Sequence, residues 1–196
     1  MEMPRTSLND FTHAGKQVFP RGASKPDHRT PMDLFLTLSD EVGGFDLDAA
    51  ASVDNHLCEF YFTEEDDALK QDWGEGRVWC NPPYSNWGEW AKKALAEVTD
   101  GFTNEVWMLI PARTETRAFH EYVWGRASEI RFFAGRLNFT GPHSISGSKA
   151  NAPFPSVLVK FSKTSGYNPC KITTCDRQGR PHQAKIGEHD TLWGKL

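Results

Sequence analysis

Four consecutive residues, Asn81-Pro82-Pro83-Tyr84, bring together a side-chain carboxamide, an imide carbonyl and an aromatic ring. They follow the short apolar run Val78-Trp79-Cys80 and open a helix-patterned segment. Such a set suits one planar amino group, the exocyclic nitrogen of a nucleobase or a glutamine amide. The lone pair of that nitrogen is delocalised, so it is a poor nucleophile. Two acceptors placed for a pyramidal NH₂ favour localising the lone pair, and groups that fit the transition state better than the ground state lower the barrier. The bland alternative is an ordinary turn capping a strand.

A second motif, Asp48-Ala49-Ala50-Ala51, follows the run Phe45 to Asp48. Small residues there let a ligand approach the backbone, a role glycine plays elsewhere. In an open α/β sheet, ligands bind beyond the C-terminal ends of the strands, so both motifs stand where a site is expected.

The elements that position these motifs follow from pattern. Thr30 and Pro31 begin a helix, Thr30 as its cap and Pro31 at the first helical position, with Asp33 as the capping-box acid. Leu34, Phe35, Leu38 and Val42 recur at helical spacing until Gly43-Gly44. Strands are expected at Phe45–Asp48, near Glu59–Phe62, and at Val78–Cys80, Val106–Ile110, Ile130–Phe133, Leu137–Phe139 and Val157–Phe161. Helices are expected along Trp87, Trp90, Ala91, Ala94, Leu95 and Val98, whose tryptophans read as core, and over Thr114–Trp124. Strands alternating with helices predict an α/β fold, a mostly parallel sheet with an antiparallel edge and helices on both faces. The expected organisation is a loose arm over 1–29, a catalytic domain over 30–163 and a polar tail or small appendage over 164–196.

Composition bounds the function. A chain of 196 residues carries a real core. No apolar run approaches membrane-spanning length, and Met1 to Asp10 lack the apolar stretch of a signal peptide. Four cysteines are too few for a disulfide scaffold, so a reducing cytoplasm is expected. The net charge is −4, but residues 30–130 hold seven Lys/Arg against twenty Asp/Glu, while residues 131–196 hold ten against three. A polyanion would be met by the basic C-terminal third, and Arg131, Arg136 and Lys149 are the expected phosphate contacts.

The set of motifs resembles the S-adenosylmethionine-dependent amino methyltransferases of DNA, in particular the small phage-type adenine-N6 (Dam-like) enzymes. The matching stretches are Thr30-Pro31, Phe45 to Ser52, Asp67-Ala68-Leu69 with Trp73, Val78 to Ser85 followed by Trp90, and Leu109 to Arg113. The resemblance implies a Rossmann-like class I methyltransferase sheet. It implies that Thr30 and Pro31 sit near the methionine carboxylate of the cofactor, that Asp48, Ala49 and Ala50 line its methionine and ribose portion, and that Asp67 lies near its adenine. It implies that Asn81 and the Pro82 carbonyl accept from the substrate amino group within the Asn81-Pro82-Pro83-Tyr84 tetrad, and that Tyr84 stacks on a base flipped out of double-stranded DNA. Phe139 or Phe154 would supply a second aromatic face. The expected setting is the cytoplasm of a bacterium or a phage-infected host, with the role, protection from restriction or regulation, left open.

The chain departs from the broader pattern. Ala49-Ala50-Ala51 replaces the usual glycine-rich turn, and only 32 residues separate Asp48 from Asn81. The ribose-binding acid is open between Asp54, Glu59 and Glu64. No large, separate target-recognition domain is expected, so sequence specificity would come from loops, the arm or the tail, or be weak; a GATC-like site is what the resemblance implies. Methylation of RNA adenine or protein glutamine is the enzymatic alternative, and a non-catalytic nucleic-acid-binding protein on a methyltransferase scaffold the other. Cys170, Cys175, His182 and His189 match no tight zinc spacing, so no metal is expected. A monomer is assumed.

Overall fold

The computed structural model describes residues 28–139, 154–163 and 169–182. The chain runs α1 (Met32–Val42), β1 (Leu47–Asp48), β2 (Phe60–Tyr61), β3 (Arg77–Cys80), α2 (Trp87–Thr99), β4 (Glu105–Pro111), α3 (Arg117–Tyr122), β5 (Glu129–Phe133), β6 (Ser156–Ser162) and β7 (Lys171–Cys175). The seven strands form one sheet in the order β2-β1-β3-β4-β6-β5-β7. The fold is α/β and the sheet mostly parallel, as expected: β1 runs parallel to β2 and β3, β3 to β4, and β5 to β7. The antiparallel strand is not at the edge. It is β6, inserted between β4 and β5 and antiparallel to both.

Alternation along the central strands divides the core in two. Val78, Cys80, Val106, Met108, Ile110, Val157, Val159 and Phe161 pack with α2 and α3 on one face. Trp79, Trp107, Leu109 and Leu158 pack with Leu34, Phe35 and Leu38 of α1 on the other. Each large apolar side chain taken from water in this way contributes about 1.5–3 kcal/mol. Trp87 is buried in the first cluster and Trp90 packs against it.

Local details differ from expectation where a side chain finds a better partner. Pro31, not Thr30, occupies the cap position of α1, and no side chain caps it. Phe35 N–H donates to the Pro31 carbonyl at 3.1 Å as the first helical bond, while the Thr30 hydroxyl is turned to Asn81. Gly43, at φ 81°, closes the helix in the left-handed conformation only glycine adopts freely. Helix α3 is shorter than predicted because Thr116 caps it, accepting from Phe119 N–H at 3.4 Å. Leu137–Phe139 is irregular rather than a strand. Both sides of β5 are already taken by β6 and β7, and Leu137 is buried in the α1 cluster without a ladder.

The segment expected to be an appendage contributes β7, hydrogen-bonded along β5 from Glu129↔Lys171 to Phe133↔Cys175. The turn after β7 lies against α1. A Cβ on Gly179 would stand 2.8 Å from Leu34 Cδ1, so this close approach requires glycine. Among the described residues, no helix is long and apolar enough to cross a membrane, and no three His, Cys, Asp or Glu side chains are grouped to hold a metal ion.

Candidate active site

The two sequence motifs meet because β1 and β3 are parallel neighbours. Asp48 lies opposite Trp79, and Ala49 N–H donates to the Trp79 carbonyl at 2.9 Å. The turn after β1 therefore stands beside Asn81, which leaves the same end of β3. Residues 28–31 cross this end before α1 begins. Arg29 Nη2 pairs with Asp54 at 2.6 Å, and the Asn81 amide binds His28 and Thr30. Residues 28 and 29, expected in the loose arm, are thus held at both motifs.

The Asn81 carboxamide has one determined orientation. Its nitrogen donates to the His28 carbonyl at 2.7 Å and to Thr30 Oγ1 at 3.1 Å. A backbone carbonyl only accepts, so the amide nitrogen must face it. That leaves Oδ1, which is buried and has no hydrogen-bond partner among the described residues. Pro82 is buried and Pro83 exposed. Asn86 N–H takes the Pro83 carbonyl at 3.3 Å, while no backbone N–H among the described residues takes that of Pro82. A buried acceptor without a donor costs about 1–3 kcal/mol and is rare in a folded protein.

Aromatic rings surround this point. Tyr84 stacks with His28 at a centroid distance of 5.3 Å and 27° between planes. Phe154 meets Tyr84 edge-on at 5.3 Å and Phe139 does so at 6.0 Å. Both also contact the His28 ring. The Phe139 and Phe154 expected to complete an aromatic site are therefore both beside Tyr84. Burial pushes the Tyr84 phenol well above its ordinary pKa, and the neighbouring Ser156 hydroxyl only partly offsets this. Neither hydroxyl makes a hydrogen bond of standard geometry, so their contact is a weak polar one.

Asp48 is buried at the end of β1 and folds the loop that follows. Its carboxylate accepts from Ala50 N–H at 3.3 Å and Leu57 N–H at 3.1 Å. Burial raises its pKa from 3.8 to about 6, against the lowering effect of those two bonds. Ala49 is fully buried and Ala50 half-buried. Asp54, one of the three acids open for the ribose, is engaged with Ser52 Oγ at 2.6 Å as well as with Arg29. These contacts hold its carboxyl below the ordinary value. Asp67 adopts a left-handed φ of 51° and pairs with exposed Lys70 at 2.6 Å.

The basic residues separate. Arg131 is not at the surface. It is 1% exposed and bound by Glu41 and Glu129, and its guanidinium carbon lies 4.7 Å from the centroid of the Trp107 ring. Arg131 points to the opposite face of the sheet from Ile130, and that face is covered by α1, so side chains are buried on either side of the strand. It is withdrawn from the phosphate contacts. Arg136 is exposed, and Lys149 lies outside the described residues. The sequence reading missed His28 and Ser156. His28 carried no signal beyond standing two residues before Thr30-Pro31, and Ser156 was masked by its place at the start of an apolar strand.

A family model described as DNA N-6-adenine-methyltransferase (Dam) matches residues 21–185. A DNA N-6-adenine-methyltransferase of Escherichia phage T1 is 37% identical over 107 residues, covering 52% of this chain and 44% of that protein. One from Haemophilus phage HP1 is 28% identical over 131 residues, covering 65% and 72% respectively. The match thus spans less than half the length of the phage T1 relative. The Type IIL restriction-modification enzyme MmeI, solved in complex with DNA, aligns with 75% of this chain and 23% of its own, at 12% identity and a TM-score of 0.40. With 21–185 matched by the family model, the chain belongs to the DNA N-6-adenine-methyltransferase (Dam) family.

Proposed function

We propose that this chain methylates the exocyclic N6 of adenine in double-stranded DNA, using S-adenosylmethionine and a base flipped into the space bounded by Asn81, Pro82 and Tyr84. The observation that carries the reading is the Asn81 carboxamide. Its nitrogen is anchored and its oxygen is buried without a partner, which is the state of an acceptor that awaits an amino group. The N6 of adenine is such a donor, and the Pro82 carbonyl is the second acceptor. Together they favour the pyramidal nitrogen over the planar one. Tyr84 offers the face on which an extruded base stacks, and such stacking is worth about 1–3 kcal/mol per base.

The residues at the ends of β1 and β3 fit the cofactor chemically. Asp48 orders a turn of short side chains, Ala49 to Ala51, beside which a cofactor would pack closely, and the buried Thr30 hydroxyl is suited to a carboxylate. Thr30, Pro31, Asp48, Ala49, Ala50 and Asp67 would hold the cofactor, with Asp67 freed from Lys70. When bound, the cofactor supplies a methyl carbon already activated on a sulfonium. The residues named here therefore need no strong base. They hold the nitrogen and align it, and alignment of this kind is worth up to about 7–11 kcal/mol. Arg136, Lys149 and Phe139 would contact the DNA.

The test is incubation of the purified protein with S-adenosylmethionine and duplexes of varied sequence, followed by mass spectrometry of the nucleosides. N6-methyladenine is expected from the wild type, and from Asn81→Ala at a rate lower by about 10²–10³. Methyl incorporation into RNA or protein but not into duplex DNA, under competition, would overturn the choice of substrate.

A further inference from the structure

We propose that Thr30 is a positioning residue for methyl transfer, fixing the plane of the Asn81 carboxamide so that Oδ1 faces the reacting nitrogen. This rests on the reading of Asn81 as the amino-group acceptor. The torsion that turns a carboxamide about its last bond is broad and roughly two-fold. One hydrogen bond from Nδ2 would prevent a half-turn but still allow the plane to swing. Here the two amide hydrogens go to two different acceptors, the His28 carbonyl at 2.7 Å and Thr30 Oγ1 at 3.1 Å. Three points, the Cγ and the two acceptors, determine the plane and with it the direction of Oδ1.

The anchor is itself held. Thr30 is only 9% exposed. Arg29, its neighbour, is tied to Asp54 by an ion pair at 2.6 Å, and Pro31 leads directly into α1, whose Leu34, Phe35 and Leu38 are buried against the sheet. The hydroxyl spends an acceptor position on Asn81, which leaves its own hydrogen to donate. A helix cap would have needed that oxygen. The helix instead begins uncapped at Pro31, so the sequence gives the hydroxyl to Asn81 rather than to α1.

The experiment compares full-length wild type, Thr30→Val and Thr30→Ser. Valine keeps the shape and removes the acceptor, and serine restores it. Thr30→Val is expected to lower kcat for duplex methylation about tenfold, the effect of one hydrogen bond, with KM for DNA within about twofold. Thr30→Ser is expected to return kcat to within about twofold of wild type. With S-adenosylmethionine saturating for each variant, so that any contact of Thr30 with the cofactor does not enter kcat, Thr30→Val should add no further loss of kcat in an Asn81→Ala background, since both act through one carboxamide. A second readout needs no turnover. In ¹⁵N spectra, the two Asn81 side-chain hydrogens should be distinct and slow to exchange, and Thr30→Val should hasten the exchange of one of them. Wild-type kcat together with an unchanged Asn81 hydrogen pair in Thr30→Val would overturn the proposal, as would additive losses in the double variant. If Thr30→Val does not fold, Thr30→Ala carries the same readouts. A wild type inactive on DNA defeats the acceptor reading instead, and the Asn81 spectrum still decides whether Thr30 holds it.

Discussion

Two buried polar clusters in this protein are built on opposite terms. Around Arg131, charge is buried with its partners present. The guanidinium donates four hydrogen bonds, to Glu129, to both oxygens of Glu41 and to the Gly179 carbonyl. Burial alone would depress its pKa, but the carboxylates beside it leave it raised. Around Asn81 the opposite holds. Asn81 Oδ1, Tyr84 Oη and Ser156 Oγ are all buried without a hydrogen bond among the described residues. The first cluster ties α1, β5 and the turn after β7 together, its cation met by carboxylates on two elements. The second leaves unsatisfied atoms that each cost about 1–3 kcal/mol, a cost that a bound partner would relieve. We read the satisfied cluster as structure and the unsatisfied one as the candidate site.

The sharpest way to break this contrast is to delete one group from each cluster. Asn81→Ala should lower the rate of methyl transfer by about 10²–10³, near 3–4 kcal/mol of barrier. Its urea midpoint should report a stability loss of only about 1–2 kcal/mol, from the two bonds made by Nδ2. Arg131→Ala should do the reverse. It leaves the part-buried Glu41 without its cation and Glu129 with only the more exposed Lys171 at 3.1 Å, and should cost about 3 kcal/mol of stability, while kcat per folded molecule stays near wild type. If DNA affinity falls and the denaturation midpoint holds, Arg131 is a phosphate contact after all and the contrast fails.

The same contrast explains what the sequence could convey. Periodicity located α1, α2 and most strands, because Leu34, Phe35 and Leu38 or Val106 to Ile110 act through burial, which pattern reports. The tetrad was legible because its residue types are scarce in combination. Arg131 misled because charge counted along a chain says nothing of the face a strand turns inward; its partner Glu41 is 90 residues away. Thr30 misled for a related reason. A local rule assigns its hydroxyl to the next helix, whereas a residue 51 positions later takes it. The place of β6 between β4 and β5 was hidden likewise, since strand order is set by pairing across long separations.

Asp48 lies between the two kinds of cluster, satisfied by two backbone N–H groups yet raised in pKa to about 6 by burial. Its folded carboxyl holds a proton that the unfolded one releases near 3.8. Its contribution to stability is therefore complete below about pH 4 and is lost as pH rises through about 6. Asp48→Asn does not titrate. The wild-type advantage over this variant should accordingly shrink by up to roughly 3 kcal/mol between pH 4 and pH 7, read from urea midpoints at each pH. A constant difference would show that the carboxyl is not desolvated at the end of β1.

The smallest effect concerns the ring that fills the unsatisfied cluster. His28 lies on the face of Tyr84 where the proposed base would stack. A base entering that position must first displace the imidazole, giving up a ring pair worth about 0.5–1.5 kcal/mol. His28→Ala keeps the backbone carbonyl that holds Asn81 and removes only the ring. Its KM for duplex DNA should therefore fall, by about two- to tenfold from that energy, with kcat little changed because the carboxamide stays anchored. Fluorescence of a 2-aminopurine at the target position should report more extruded base in the variant at equal protein concentration. A rise in KM would mean that the imidazole moves with the base and sandwiches it against Tyr84, which would make His28 part of the pocket wall rather than the group that holds its place.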